Sequence, residues 1–142
     1  MGSVFALDLN HFAPIRGVQL FSGCDFTKPE NVDKLKMAIG DRPVSAVISD
    51  MAPNASGVRE LDKTVIFQLD QQAMHFASQV LGKNGSFLCK FWDDPEICSV
   101  LKSKALEYGF TFAKIIKPNA CRDDSSELFM FASNFQKGKS ES

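Results

Sequence analysis

Lys90 stands in an otherwise apolar run, Phe87-Leu88-Cys89-Lys90-Phe91-Trp92. Such neighbours strip water from an amine, which predicts a lowered pKa and a side chain usable as a proton acceptor. A lysine snorkelling out of a strand end produces the same pattern. Three acids follow apolar runs. Asp8 closes Val4-Phe5-Ala6-Leu7, Asp25 comes soon after Val18-Gln19-Leu20-Phe21, and Asp50 follows Val44 to Ile48 and Ser49. Each also suits a turn-forming aspartate. Glu127 precedes a further apolar run, where a solvated turn explains it equally well.

Other chemistries find no support. Ser56 lies in no G-x-S-x-G elbow, and the chain has neither a Walker-type lysine loop nor a G-x-G-x-x-G. Cys24, Cys89, Cys98 and Cys121 form no C-x-x-C pair and lie away from His11 and His75 at ligand spacing. No metal site is expected, and the thiols read as buried and reduced.

The elements that must hold these residues are legible from periodicity. Val4–Leu7 and Val18–Phe21 read as short strands, the first of them buried. Thr27 with Glu30 three residues on, and Pro29 between, forms a capping-box pattern for a helix reaching Ile39. Val32, Leu35, Ala38 and Ile39 form its inner face, and Gly40 stops it. Val44–Ile48 is the next strand, and Met51-Ala52-Pro53-Asn54 a loop. Asp62 is placed to cap a long helix to Leu81, with Val65, Leu69, Ala73, Phe76, Ala77 and Val80 inward. Gly82 and Gly85 close it. Phe87–Phe91 is a strand, Asp94-Pro95 opens a helix to Tyr108, and Phe110–Ile116 and Leu128–Phe135 are the last strands. Residues 136–142 form a polar tail expected to fray.

Alternating strands and helices predict an α/β, Rossmann-like sheet, mostly parallel, with helices on both faces. The final strands lack a helix between them, which predicts an antiparallel last strand. Ligands of such sheets bind beyond the carboxyl ends of the strands, and an acid there commonly holds a ribose hydroxyl pair. Asp8 has that place. Asp25 and Asp50 share the same edge, and Lys90 lies late in its strand. The 142 residues, 44% hydrophobic and 23% charged, make one globular domain's worth of chain. A net charge of −1 excludes a nucleic-acid binder working by bulk positive charge, though not a local basic patch. No apolar run reaches the roughly 20 residues of a membrane span, and the first residues carry no signal or transit pattern.

Ser49-Asp50-Met51-Ala52-Pro53-Asn54 with Ser56-Gly57 resembles the SDMAPN-x-SG signature of the FtsJ (RrmJ) ribosomal RNA 2′-O-methyltransferases. Phe87-Leu88-Cys89-Lys90 resembles that family's lysine strand. Lys117-Pro118, Arg122 and Ser125-Ser126-Glu127 are similar to its later KP and S-E segment, with Cys121 where serine is usual. Asp8-Leu9, Pro14-Ile15 and Gly17 are similar to the stretch after its second strand. The likeness runs from about Ser3 to Phe135 and is strongest to the mitochondrial branch, through Asn54–Gly57, Leu61-Asp62 and the lysine strand.

The resemblance implies an S-adenosylmethionine-dependent transferase that methylates a ribose 2′-hydroxyl of ribosomal RNA. The implied substrate is a uridine of mitochondrial large-subunit RNA, met by a monomer without a membrane span. Residues 1–135 would be the methyltransferase domain, located in the mitochondrion. The family uses a Lys-Asp-Lys-Glu tetrad, matched here by Asp50, Lys90 and Glu127. Lys90 would accept the proton, oriented by Asp50 and Glu127, whose charges oppose a lowered pKa. Asp8 would hold the cofactor's ribose hydroxyls, Asp25 its adenine side and Asp50 its methionine end. Lys117 and Arg122 would contact RNA phosphates, with Lys114 a further basic neighbour, although a solvated basic face has the same composition. The family's first strand, glycine-rich loop and first tetrad lysine have no counterpart, so they are expected upstream of Met1 and the chain reads as truncated. The tetrad does not encode the substrate, so transfer-RNA and cap-directed enzymes share the pattern. An inactive RNA-binding or assembly module is the alternative from another class.

Overall fold

The computed structural model describes residues 2–8, 13–50, 59–118 and 127–136. The loop at Met51–Asn54, Ser56, His11, Cys121, Arg122 and the tail beyond Gln136 lie outside the described residues. The chain forms two compact units, Met1–Arg42 and Pro43–Ser142.

In the first unit, β1 (Val4–Asp8) pairs in parallel with β2 (Val18–Ser22), setting Asp8 opposite Ser22. The first run is less buried than its apolar character predicts, since Val4 is exposed and the rest of β1 half-buried. Helix α1 (Pro29–Ile39) buries Leu35 and Ile39, while Val32 and Ala38 are only half-covered. The expected capping box does not form. The Thr27 hydroxyl and backbone N–H both donate to Asp25 Oδ1, at 2.6 and 2.9 Å. The N-cap falls on Lys28, which makes no side-chain cap bond, and Pro29 opens the helix with its fixed φ. Gly40, at φ 65°, ends it by donating to the Lys36 carbonyl.

The second unit is a four-stranded sheet in the order β3-β4-β6-β5, formed by β3 (Val44–Ser49), β4 (Leu81–Trp92), β5 (Phe110–Ile116) and β6 (Glu127–Phe135). β3 runs parallel to β4, and β6 is antiparallel to both its neighbours. The predicted reversed last strand is therefore present, inserted between β4 and β5. Helices α2 (Arg59–Val80) and α3 (Pro95–Tyr108) touch each other and pack on the strands, so within this unit they share one sheet face. The pleat delivers Phe87, Cys89 and Phe91 of β4 and Leu128, Met130 and Ala132 of β6 to that buried face. Phe110 joins Phe87 and Phe135 there, with ring centroids 6.4 and 5.1 Å away.

Two boundaries and one buried face differ from the periodic reading. Helix α2 begins at Arg59, so Asp62 does not cap it but lies buried inside it. Its buried stripe is Asp62, Ile66, Asp70, Ala73, Met74, Phe76 and Ala77, so Ala73, Phe76 and Ala77 lie inward as expected, while Val65, Leu69 and Val80 are half-buried beside the stripe. Two acids, Asp62 and Asp70, take inner-face places on the first half of the helix that an apolar periodicity assigns to their neighbours. Gly82 and Gly85 do not sit in a loop after the helix. They lie in an irregular start of β4, where the pairing jumps from Val44↔Leu81 to Ala46↔Ser86 and Asn84 takes φ 68°. Helix α3 starts as expected, with Asp94 Oδ1 accepting from the N–H groups of Glu96 and Ile97. Cys24, Cys89 and Cys98 are free thiols, but only Cys89 is buried; the other two are half-buried.

Candidate active site

Strand directions decide which side chains meet. β3 and β4 are parallel, so their carboxyl ends share one edge, with Ser49 opposite Cys89. β6 is antiparallel, so its first residue arrives at that same edge, and Glu127 stands opposite Trp92. Asp50 follows β3, Lys90 lies near the end of β4 and Glu127 begins β6. These three are far apart in sequence and adjacent here. Lys90 Nζ lies 2.6 Å from Asp50 Oδ1 and 3.0 Å from Glu127 Oε2.

The electrostatics reverse the expectation for Lys90. Its pKa is raised, first by the hydrogen bond to Asp50, against the opposing effect of desolvation, and then by Glu127. The pleat explains why burial loses. Cys89 and Phe91 point to the opposite, helix-covered face, so only Leu88 and Trp92 share the lysine's side. Its side chain retains 27% exposure, against 61% for Asp50 and 46% for Glu127.

Asp8 and Asp25 belong to the first unit. Asp8 is half-buried at the carboxyl end of β1, and its carbonyl accepts from the Cys24 N–H at 2.9 Å. A carboxylate in that place suits the hydroxyl groups of a ribose, which donate where it accepts. Asp25 forms the turn described above, and the Thr27 bonds hold its carboxyl below the usual range. Lys117 is exposed just past the end of β5. β5 runs in the same direction as β4, so Lys117 stands on the edge that carries Asp50 and Lys90. Lys114 is exposed within β5.

One group at the site escaped sequence reasoning. Asp70 is fully buried on α2, and among the described residues neither of its carboxyl oxygens has a hydrogen-bond partner of ordinary geometry. An acid in an amphipathic helix reads as surface. The signal that could have found it is its place four residues after Ile66 and four before Met74.

Residues 1–135 match the FtsJ-like methyltransferase family. The chain belongs to that family. It is similar to the Drosophila melanogaster protein named rRNA methyltransferase 2, mitochondrial, with 39% identity over 141 residues, covering 99% of this chain and 55% of that protein. It is also similar to ribosomal RNA large subunit methyltransferase E of Gluconobacter oxydans, with 38% identity over 136 residues, covering 94% of this chain and 48% of that one. The chain thus spans about half the length of these curated relatives. Among solved structures, a ribosomal RNA methyltransferase of Plasmodium falciparum shares the fold, with a TM-score of 0.78 at 20% identity, over 94% of this chain and 72% of that one. A methyltransferase from Streptococcus mutans in complex with SAH matches at a TM-score of 0.55 and 13% identity, over 94% and 72%. For the FtsJ-like chain, then, the α/β methyltransferase fold is shown. Among the described residues no helix is long and apolar enough to cross a membrane.

Proposed function

We propose that this FtsJ-like chain carries the reacting centre of an S-adenosylmethionine-dependent ribose 2′-O-methyltransferase of large-subunit ribosomal RNA. The observation that supports this reading is Lys90 held between Asp50 and Glu127 at the carboxyl edge of the sheet. The relatives named for ribosomal RNA methylation support the substrate class. The finer assignment, a uridine in mitochondrial large-subunit RNA, follows the mitochondrial names of the Drosophila melanogaster and Caenorhabditis elegans relatives.

The cofactor, when bound, supplies an electrophilic methyl group. Asp8 would hold its ribose hydroxyls, Asp25 would lie toward the adenine, and Asp50 toward the methionine end. Lys90 would take the proton that the ribose 2′-hydroxyl gives up on receiving the methyl group, the methyl–sulfur bond breaking to leave a neutral thioether. It can do so only as the free amine, so its raised pKa makes the reactive form a minority at neutral pH. Asp50 and Glu127 fix the Nζ in one place, which exchanges driving force for position. Lys117 and Arg122 would contact RNA phosphates and orient the strand without reading its sequence.

Calorimetric titration of S-adenosylmethionine into the purified chain tests the cofactor half of this reading. Saturable binding is expected, weakened at least tenfold by Asp8→Ala. No heat of binding would defeat the claim that this polypeptide is itself an enzyme and leave an RNA-binding or assembly role. Binding unchanged by Asp8→Ala would remove the ribose assignment.

A further inference from the structure

Directly behind the Asp50–Lys90 pair lies an acid that the chemistry above does not use. Asp70 sits midway along α2, which packs against β3 and β4. Toward it these strands present Ser49 and Cys89, a registered cross-strand pair, both buried. Each immediately precedes a member of the charged cluster: Ser49 precedes Asp50, and Cys89 precedes Lys90. Among the described residues the Ser49 hydroxyl, like both oxygens of Asp70, lacks a hydrogen-bond partner of ordinary geometry.

An apolar residue at position 70 would fill this place without desolvating a carboxyl. The acid is therefore a local conflict between packing and chemistry, and such conflicts gather at working sites. The groups that bear on it are named by its surroundings. Burial is the main cause of a pKa pushed up to about 8, and the Asp50 charge pushes the same way. Cys89, Ser49 and Lys90 oppose them. The Cys89 thiol is itself pushed far up by burial and by Asp70, so it stays protonated. At neutral pH the cluster behind the pair is a neutral carboxyl, a thiol and a hydroxyl.

We infer that Asp70 is a positioning residue: a fully buried carboxyl wedged behind Ser49 and Cys89 that fixes the two strand ends carrying Asp50 and Lys90. Its ionisation puts a third negative charge at the site and loosens that hold. The relevance to methyl transfer rests on the reading of Lys90 as proton acceptor; the coupling between Asp70 and Lys90 does not.

The test is a pH titration of the full chain with lysine labelled at the ε-carbon, Lys90 being assigned through Lys90→Arg. The Lys90 resonance should show a first inflection near pH 8, below the titration of its own amine. Asp70→Asn keeps the shape and cannot ionise, so it should abolish that inflection and leave the amine titration in place. Asp70→Val should move the Lys90 resonance at pH 7, and the asparagine variant should restore it. A wild-type titration with no inflection near pH 8, or one that persists in Asp70→Asn, overturns the inference. A chain that shows the inflection yet transfers no methyl group would defeat the proposed function and leave this coupling standing.

Discussion

Lys90 Nζ lies 2.6 Å from Asp50 Oδ1, a contact between a residue of one strand and the residue just past the end of its parallel neighbour. The contact governs the ionisation of Lys90, because the hydrogen bond to Asp50 is the first cause of its raised pKa. Asp50→Asn should therefore lower that pKa, and should do so more than Glu127→Gln. The ε-carbon titration of Lys90 measures both. Equal shifts, or none, would contradict the ordering. The stabilising effect of the ammonium is fully present below the ordinary lysine value of 10.5 and is lost as pH rises through the higher folded value.

The same shift sets a direction for catalysis. Only the free amine accepts a proton, so methyl transfer should climb with pH through neutrality into the alkaline range. Asp50→Asn should carry the rising limb to lower pH, even as it reduces the maximum rate. A rate that is flat from pH 6 to pH 9 in the wild-type chain would count against Lys90 as acceptor.

Asp70 makes an opposite kind of prediction, about stability. Its folded pKa of about 8 lies above the ordinary 3.8, so the folded chain binds the extra proton between those values. Stability should fall as pH rises through that window. Asp70→Asn removes the ionisable group and should stabilise the fold more at pH 8 than at pH 4.5, by about 4 kcal/mol. Urea unfolding at the two pH values gives the comparison. An equal effect at both would mean that Asp70 is not neutralised by folding.

Gly109 closes α3 at φ 117°, with its N–H donating to the carbonyls of Ala105 and Leu106. A Cβ there would stand 3.0 Å from the Gln136 carbonyl oxygen and 3.4 Å from the Phe135 ring. Gly109→Ala should cost about 1–3 kcal/mol through the left-handed backbone and that close approach. Chemical unfolding measures it, and a change below about 0.5 kcal/mol would show that the strand end yields without strain.

The strand ends are legible in the sequence because one apolar run stops abruptly at Ser49-Asp50 and another begins just after Glu127. That β6 is reversed was legible from the missing crossover helix. That its reversal delivers Glu127 to Lys90 follows from the order β4-β6-β5, which no local pattern encodes. The Lys90 ionisation was misjudged because sequence neighbours in a strand face opposite ways. Cys89 and Phe91 seemed to enclose the amine but lie across the sheet from it. Asp70 is hidden, and Asp62 reads as a helix cap, for a related reason. Polarity marks an outer helix face or a helix end, yet both acids are buried on the inner face.

The central claim is that Lys90 takes the ribose proton in a methyl transfer to RNA. Transfer of a labelled methyl group from S-adenosylmethionine to large-subunit ribosomal RNA, by the chain and by its Lys90→Ala variant, tests it most directly. The wild-type chain should label the RNA on a ribose 2′-oxygen, and the variant should be slower by roughly a hundred- to ten-thousand-fold while still binding the cofactor. A Lys90→Ala chain that methylates at the wild-type rate would contradict the account.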